Sequence, residues 1–223
     1  MRRIVFFIML LSIGGIASAD NSADVAPEPS LKISRFEDGR DYFSYEEPIA
    51  LPPRQDKKIP IQFFFDYDCR VCSVAQDILS LYSQINADKV VFSENPVATE
   101  RANTTANIFF TLRALNAEAV SDLLLFESSE KPRYVELEKF SNLLNWLAEQ
   151  QVNIDEFKKL YNSVGVRVQV RDAIKMTEDY GVFTYPYVIV GGKYVLTAST
   201  LYNDDYSFAV LDFLINKLSQ ENK

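Results

Sequence analysis

Histidine is absent from the 223 residues of this chain, and cysteine occurs only twice. Without histidine there is no Ser-His-Asp or Cys-His catalytic group, and no site in which histidine binds zinc or haem. Basic residues are also few: 23 lysines and arginines against 31 acidic residues give a formal net charge of −8. Because a nucleic-acid-binding surface needs a basic patch, no nucleic-acid partner is expected. A hydrophobic content of 48% is that of a chain with a buried core.

The N-terminus has the pattern of an export signal. Arg2 and Arg3 precede an apolar run, Ile4 to Ile16, which is shorter than the roughly 20 residues that span a bilayer. Ala17-Ser18-Ala19 then provides the small residues of a cleavage site, so we expect a signal peptide over residues 1–19 that is cleaved after Ala19. An uncleaved membrane anchor is the alternative interpretation.

Export determines the redox environment of the two cysteines. Outside the cytosol a thiol pair meets oxidising conditions, in which disulfides form and persist. The C-terminal Glu221-Asn222-Lys223 is not an endoplasmic-reticulum retention signal, which favours a bacterial periplasm over the lumen of that organelle. We therefore expect a periplasmic protein.

The rest of the chain shows strand and helix patterns in the order β-α-β, then helices, then β-β-α. Residues 20–58 are irregular and include a first edge segment. Ile59 to Phe65 is almost wholly apolar, as a strand buried on both faces is, and Val90 to Phe92 forms a second strand after a helix. Residues 99–180 show only the helical spacing of apolar residues, and their last helix, from about 167, is predicted to end at Gly181. Gly191-Gly192 predicts a hairpin, and an amphipathic helix follows it.

Both cysteines lie in one motif, Cys69-Arg70-Val71-Cys72, where the buried strand leads into the first helix. Unpaired N–H groups and the dipole at a helix N-terminus favour negative charge, so we expect the thiolate of Cys69 to be stabilised. Cys69 is predicted to be the exposed nucleophile. Cys72, one turn into the helix, is predicted to be the buried resolving thiol.

Other uses of two cysteines are weaker interpretations. A structural disulfide here would close a very short loop, and the stabilisation from loop closure decreases with loop length. Zinc needs about four ligands, and covalent haem attachment needs a histidine where this chain has Ser73. No metal and no cofactor are expected. A structural bridge and an inactive scaffold remain alternatives to a redox site.

A second element of the pattern is Tyr185-Pro186, directly before a predicted strand. Together with the cysteine motif it gives the sequence a resemblance to the DsbA-type periplasmic thiol–disulfide oxidoreductases of the thioredoxin superfamily, which extends from about Phe36 to the C-terminus. The resembling residues are Glu37 to Tyr42, Glu47-Pro48, Phe63 to Phe65, Cys69 to Cys72, Gly181-Val182, Tyr185-Pro186 and Gly192 to Tyr194.

The resemblance implies an α/β protein: a thioredoxin fold with an inserted helical domain. Residues 59–98 and 181–223 would form the thioredoxin-fold domain, and residues 99–180 the insertion. It further implies a cis peptide bond before Pro186, beside Cys69. The implied activity is the oxidation of reduced or unfolded exported proteins, with reoxidation by a DsbB-type membrane quinone reductase. We expect the protein to be a monomer.

The chain differs from the family at the residues that would set the stability of the Cys69 thiolate. The family usually has Pro-His between the cysteines, where this chain has Arg70-Val71. Arg70 would supply a permanent positive charge, whereas Asp66 and Asp68 just before the motif would oppose a second negative charge. The sequence leaves open which influence is stronger.

Two further departures concern a buried acid and the substrate groove. Phe63 lies where many members of the family have a buried acid that assists proton movement, so that route is expected to be absent. Tyr185 replaces the smaller residue common before the cis proline, and we expect Tyr185 and Pro186 to line a substrate groove beside Cys69.

The favoured function is thus a periplasmic oxidoreductase that introduces disulfides through Cys69 and Cys72. The same site could instead serve a disulfide reductase or isomerase, or an oxidase specialised for few substrates. A chaperone or binding module that uses the groove without redox chemistry is a further alternative. It would tolerate replacement of both cysteines by serine, whereas the redox functions would not.

Overall fold

The computed structural model describes residues 35–52 and 54–221, so the predicted signal peptide lies outside the described residues. The described elements follow the predicted order, with a short additional strand at the start, so that three strands and one helix precede the helical stretch. In chain order they are β1 (Phe43–Ser44), β2 (Ile59–Phe65), α1 (Cys72–Ile85), β3 (Val90–Pro96), α2 (Thr104–Ala114), α3 (Glu118–Ser128), α4 (Lys131–Leu137), α5 (Phe140–Glu149), α6 (Ile154–Tyr161), α7 (Val164–Asp179), β4 (Tyr187–Val190), β5 (Tyr194–Thr197) and α8 (Asp204–Glu221).

The strands form one mixed sheet in the order β1-β5-β4-β2-β3. β2 pairs in parallel with β3, through the α1 crossover, and antiparallel with β4. The antiparallel β4–β5 hairpin turns at Gly191 and Gly192, whose φ angles are +61° and +70°. This left-handed backbone is what a two-residue hairpin turn needs, so the predicted hairpin is confirmed.

β2 is buried on both of its faces, as its nearly continuous apolar sequence predicts. Ile61, Phe63 and Phe65 belong to the main core cluster, which includes residues of α1 and α8. Phe64 points to the opposite face and packs with residues of β4 and β5 in a smaller cluster. The strand before the cysteines is therefore fixed by packing on two sides.

β3 is longer than the sequence indicates. It continues past Phe92 to Pro96, and every residue of it is paired in register with β2, from Ile59–Val90 to Phe65–Pro96. Ser93, Glu94 and Asn95 lack the apolar pattern of a strand, but their backbone is held by the partner strand. β3 lies at the edge of the sheet and Ser93 is exposed there, so this part of the strand needs no apolar pattern.

Helix ends in the helical stretch follow local rules. The side chain of Asn153 caps α6 by accepting a hydrogen bond from the N–H of Glu156 at 3.1 Å. α7 begins at Val164, three residues before the predicted start, because Ser163 caps it. It ends with Gly181 at φ +63°, and the N–H of Val182 donates to the carbonyl of Thr177 at 3.0 Å. This is the glycine C-cap that the sequence predicts.

α2 is at the centre of the helical stretch and contacts α3, α6 and α7. Contacts from α1 to α3 and from β3 to α2 join this stretch to the sheet. Within residues 35–52 and 54–221, no helix has the length and apolar character needed to cross a bilayer.

Candidate active site

Cys69 and Cys72 are joined by a disulfide, with their Cα atoms 5.3 Å apart. Cys72 is the first residue of α1, and Cys69 lies in the turn between β2 and that helix. The N–H of Cys72 donates to the carbonyl oxygen of Cys69 at 3.4 Å. Helix α1 thus begins three residues later than Cys69, and only the second cysteine belongs to it.

The exposure expected for Cys69 is not found. Cys69 is 2% exposed and Cys72 is fully buried, and both belong to the main core cluster. The turn directs both sulfurs inward and leaves Arg70 and Val71 on the outside, with Val71 44% exposed. Cys69 therefore presents little surface to an attacking thiolate.

Helices of the helical stretch hold the turn that precedes Cys69. The N–H of Tyr67 donates to Thr105 Oγ1 of α2 at 3.4 Å, and its hydroxyl is 2.8 Å from Ser121 Oγ of α3. Lys131 Nζ of α4 donates to Asp68 Oδ1 at 3.0 Å. Three helices thus position the approach to the cysteine motif.

The two aspartates ahead of Cys69 lie in different surroundings. Burial raises the pKa of Asp66, although the N–H of Asp68 donates to its carboxylate at 2.8 Å. Asp68 is partly exposed, and the ammonium of Lys131 lies against it. The negative charge of Asp66 is therefore disfavoured, and that of Asp68 is partly balanced. From the sequence, the two aspartates are expected to repel a Cys69 thiolate. Both effects weaken that repulsion.

The peptide bond between Tyr185 and Pro186 is cis, as the family resemblance implies. Tyr185 is 38% exposed, and its pKa is raised first by burial and then by the negative charges of Asp66 and Asp68. This electrostatic influence places the Tyr185 phenol near the turn that carries the cysteines. Tyr185 therefore lies within electrostatic reach of two of the predicted tuning residues, Asp66 and Asp68.

Sequence reasoning missed two residues of α4 that join this site. Burial and the charges of Asp68 and Asp66 raise the pKa of Tyr134 to about 12. The ammonium of Lys131 lies 4.8 Å from the centre of the Tyr134 ring, in a cation–π contact. A basic and an aromatic residue three apart on a short helix could have suggested a surface site. Nothing in the local pattern connects that helix to Cys69.

A cavity of about 500 Å³ borders the site and extends into the helical stretch. Tyr67 and Tyr134 form part of its wall, and both apolar and polar side chains from α2 to α6 form the rest. Val71 in the motif is exposed, as are Tyr185 and Phe183 just before Pro186, and Phe183 is 84% exposed. The turn that precedes Cys69 thus borders a cavity whose wall is both polar and apolar, through Tyr67.

Known proteins resemble this chain over most of its length. An uncharacterised protein of Haemophilus influenzae is 60% identical over 195 residues, which cover 87% of this chain and 83% of that protein. The thiol:disulfide interchange protein DsbA of Burkholderia cepacia is 24% identical over 214 residues and 96% of each chain. No protein-family model matches the chain.

The crystal structure of Pseudomonas aeruginosa DsbA superposes with a TM-score of 0.70 at 24% identity, covering 84% of this chain and 96% of that one. The likeness establishes the fold. An α/β thioredoxin fold with an inserted helical domain, the predicted fold class, is confirmed.

Proposed function

Because the chain belongs to the DsbA-type thiol–disulfide oxidoreductases, we propose that its Cys69–Cys72 disulfide oxidises thiol pairs of exported proteins. The observation that carries this proposal is a disulfide at the start of α1 with no other cysteine in the chain. The pair closes a very short loop, which stabilises a fold less than a long loop does, so a purely structural role is the weaker explanation.

The reaction is a pair of thiol–disulfide exchanges. A substrate thiolate attacks the Cys69 sulfur, the Cys69–Cys72 bond breaks, and Cys72 leaves as a thiolate. A second substrate thiolate then attacks the substrate sulfur of the mixed disulfide and releases Cys69. Two electrons pass from substrate to enzyme, and the substrate gains one disulfide. Tyr185 and Pro186 would hold the substrate backbone beside Cys69, and Arg70, Val71, Asp66 and Asp68 would tune the sulfur.

The cellular setting follows from the same relationship. Membership of the family supports a periplasmic location and exported proteins as substrates. The sequence pattern supports a signal peptide over residues 1–19, cleaved after Ala19. Reoxidation would come from a DsbB-type membrane quinone reductase, and the protein would act as a monomer. Residues 59–98 with 181–223 would form the thioredoxin-fold domain, and residues 99–180 the insertion.

Single cysteine replacements test the assignment of the two sulfurs. We expect Cys69→Ser to abolish oxidation of a reduced dithiol peptide, because the attacked sulfur is missing. Cys72→Ser, given the same peptide in its disulfide form, should instead accumulate a mixed disulfide that mass spectrometry detects, because the Cys69 thiolate attacks the peptide disulfide and no second enzyme thiol resolves the product. Oxidase activity retained by Cys69→Ser and lost in Cys72→Ser would reverse the assignment.

The direction of catalysis is tested by the equilibrium of the pair with glutathione. An oxidase should have a reduction potential well above the value of about −270 mV found for thioredoxin. A potential near that value would make the protein a reductase. If a variant with both cysteines replaced by serine kept its full effect on substrate folding, the chaperone alternative would be correct.

A further inference from the structure

The hydroxyl of Tyr45 contacts both ends of the segment that contains Tyr185 and Pro186. Tyr45 Oη donates to the carbonyl oxygen of Tyr180, the residue after α7, at 2.6 Å. It also lies 3.0 Å from the hydroxyl of Tyr187, the first residue of β4. Because the single hydroxyl proton of Tyr45 is directed to Tyr180, Tyr187 is the donor in the second bond. One side chain thus joins the two ends of residues 181–186, called here the proline loop.

The sheet in turn holds Tyr45. Its N–H donates to the carbonyl oxygen of Lys193, the residue before β5, at 2.9 Å. Its side chain packs against the smaller core cluster, which contains Phe64 and Tyr187. Burial, and then the hydrogen bond with Tyr187, raise the pKa of Tyr45, so the hydroxyl keeps its proton and remains a donor. The bonds to the proline loop therefore come from a side chain whose own position is fixed.

The middle of the proline loop has few contacts of its own. Within the part of the chain that the structure describes, no backbone hydrogen bond involves Phe183, Thr184 or Tyr185. A cavity of about 330 Å³ is lined by Phe43 of β1 together with Gly181 and Phe183, so the loop is not closely packed against β1 there. The conformation of residues 183–185 therefore depends on how the two ends of the loop are held.

Backbone groups without partners are what an extended substrate segment requires. A peptide that binds as an added strand pairs with free N–H and C=O groups of its receptor. The charges of Asp66 and Asp68 act on Tyr185, so the proline loop lies near the turn that leads to Cys69. If the loop had the binding conformation in only a fraction of the molecules, the apparent affinity for substrate would fall by that fraction.

Resting on the proposed function, we propose that Tyr45 is a positioning residue for substrate binding, because its hydroxyl holds residues 180 and 187 so that residues 183–185 can pair with the substrate backbone. Tyr45 acts through the proline loop and contacts neither sulfur. The short segment at β1 thus contributes to the binding of polypeptides. A small thiol reacts with the disulfide without pairing with the loop, so it gains nothing from this contact.

A comparison of a peptide with a small dithiol tests the proposal. Tyr45→Phe removes the hydroxyl and keeps the ring. The oxidised proteins are reduced in single turnovers at increasing concentrations of a dithiol peptide or of dithiothreitol. Tyr82→Phe is the matched control, because it removes another tyrosine hydroxyl, bonded to Asp212 of α8 at 2.8 Å, away from the proline loop. Unfolding curves establish that the variants are folded.

We expect Tyr45→Phe to raise the half-saturating concentration of the peptide roughly two- to tenfold, the range that the loss of one hydrogen bond allows. The limiting rate and the rate with dithiothreitol should keep their wild-type values, and Tyr82→Phe should match wild type with both reductants. A folded Tyr45→Phe protein with wild-type peptide kinetics would overturn the proposal. Equal slowing with both reductants would overturn it too, because the hydroxyl would then act on the disulfide itself.

A second variant separates the two bonds of the Tyr45 hydroxyl. Tyr187→Phe removes only the bond at the start of β4, and we expect a smaller increase in the half-saturating concentration because the bond to Tyr180 remains. An increase larger than that of Tyr45→Phe would contradict the central place given to Tyr45.

NMR measures the proline loop without any redox reaction. In Tyr45→Phe we expect the backbone chemical shifts of residues 183–185 to move and their order parameters to fall, whereas Tyr82→Phe should leave both unchanged. Shifts and order parameters that stay at wild-type values in Tyr45→Phe would show that the loop keeps its conformation without the hydroxyl, and the proposal would be wrong. If wild type did not oxidise the peptide at all, the proposed function would fail instead, and the NMR comparison would still report on the Tyr45 contact.

Discussion

Charges of both signs surround the turn that carries Cys69, and the structure shows how they differ in strength. Arg70 is exposed and adjacent to the sulfur in sequence, whereas Asp68 is already paired with Lys131. Asp66 carries a carboxyl whose pKa is raised by burial. We therefore expect the positive charge of Arg70 to have the larger influence on the Cys69 thiolate.

Removing the charge of Arg70 should change the reduction potential of the cysteine pair in a defined direction. Arg70→Ala should raise the pKa of Cys69 and make the protein a weaker oxidant, because a less stable thiolate means a less stable reduced form. A charge several ångströms away near a surface contributes about 0.5–1 kcal/mol, which corresponds to a reduction potential roughly 10–20 mV more negative. The shift in reduction potential is measured from the equilibrium of the cysteine pair with glutathione.

Arg54→Ala is the matched control, since Arg54 is an exposed arginine that pairs with Asp56 outside the site. An unchanged or more positive potential in Arg70→Ala would mean that the aspartates dominate.

The cysteine motif and Tyr185-Pro186 were predictable because each is a local pattern. Lys131 and Tyr134 were not, because only the tertiary fold brings them from residue 131 onward to the turn at residue 68.

At the scale of the elements, glycines determine two chain reversals, but for different physical reasons. Gly181 ends α7 with a positive φ, and a Cβ built there meets nothing within 4 Å. Gly192 in the β4–β5 turn has a positive φ, and a Cβ there would be 2.7 Å from the carbonyl oxygen of Ile49. That carbonyl belongs to a segment tied to the turn, since the N–H of Ile49 donates to Gly192 at 2.8 Å.

Alanine replacements separate backbone strain from collision. Gly181→Ala should lower the free energy of unfolding by about 1–2 kcal/mol, the cost of a left-handed conformation for a residue with a Cβ. Gly192→Ala should cost clearly more, because the backbone at Ile49 has to move as well. Urea unfolding of both variants measures the difference. Equal losses would mean that the segment at Ile49 yields without cost.

The elements also show where local sequence rules are sufficient. The cap at Gly181 and the hairpin at Gly191-Gly192 act within a few residues, and the sequence predicts both of them. The length of β3 depends on its partner: Ser93 to Asn95 form strand only because β2 supplies the hydrogen bonds. The depth of Cys69 depends in the same way on packing that no neighbouring residue encodes.

At the scale of the whole molecule, one carboxylate links the segment before β1 to the last helix. Asp41 accepts hydrogen bonds from the hydroxyl of Tyr206 at 2.5 Å, from the N–H of Glu37 at 2.8 Å and from the guanidinium of Arg40. Thr200 Oγ1 donates to the backbone carbonyl of Asp41 at 2.8 Å. These bonds lower the pKa of Asp41 to about 2, from an ordinary value of 3.8.

The sign of the resulting pH dependence follows from linkage. Because the folded protein favours the ionised form, Asp41 contributes stability above an ordinary aspartate pKa, and this contribution is lost as the pH falls through the folded value. Asp41→Asn should therefore be less stable than wild type at pH 6, with a gap that narrows between about pH 4 and 2. Urea unfolding at several pH values checks this.

Asp38→Asn is the control, because Asp38 is an exposed neighbour of the same segment. A gap that stayed constant from pH 6 to pH 2 would show that the Asp41 carboxylate stabilises the fold only by packing.

The overall architecture itself was predictable, since the order of strand and helix patterns and the resemblance both indicate it. The contacts that close the molecule, such as Asp41 with Tyr206, span 165 residues and leave no local pattern.

The contacts of helices α2, α3 and α4 with the turn before Cys69 have a consequence for how such proteins are compared. Thr105, Ser121 and Lys131 each contact that turn from a different helix. Substitutions at these positions would alter the surroundings of the sulfurs while every strand residue and both cysteines stayed the same. Proteins with identical cysteine motifs can thus diverge in reactivity through the insertion alone, and ranking them by the two residues between the cysteines would overlook that divergence.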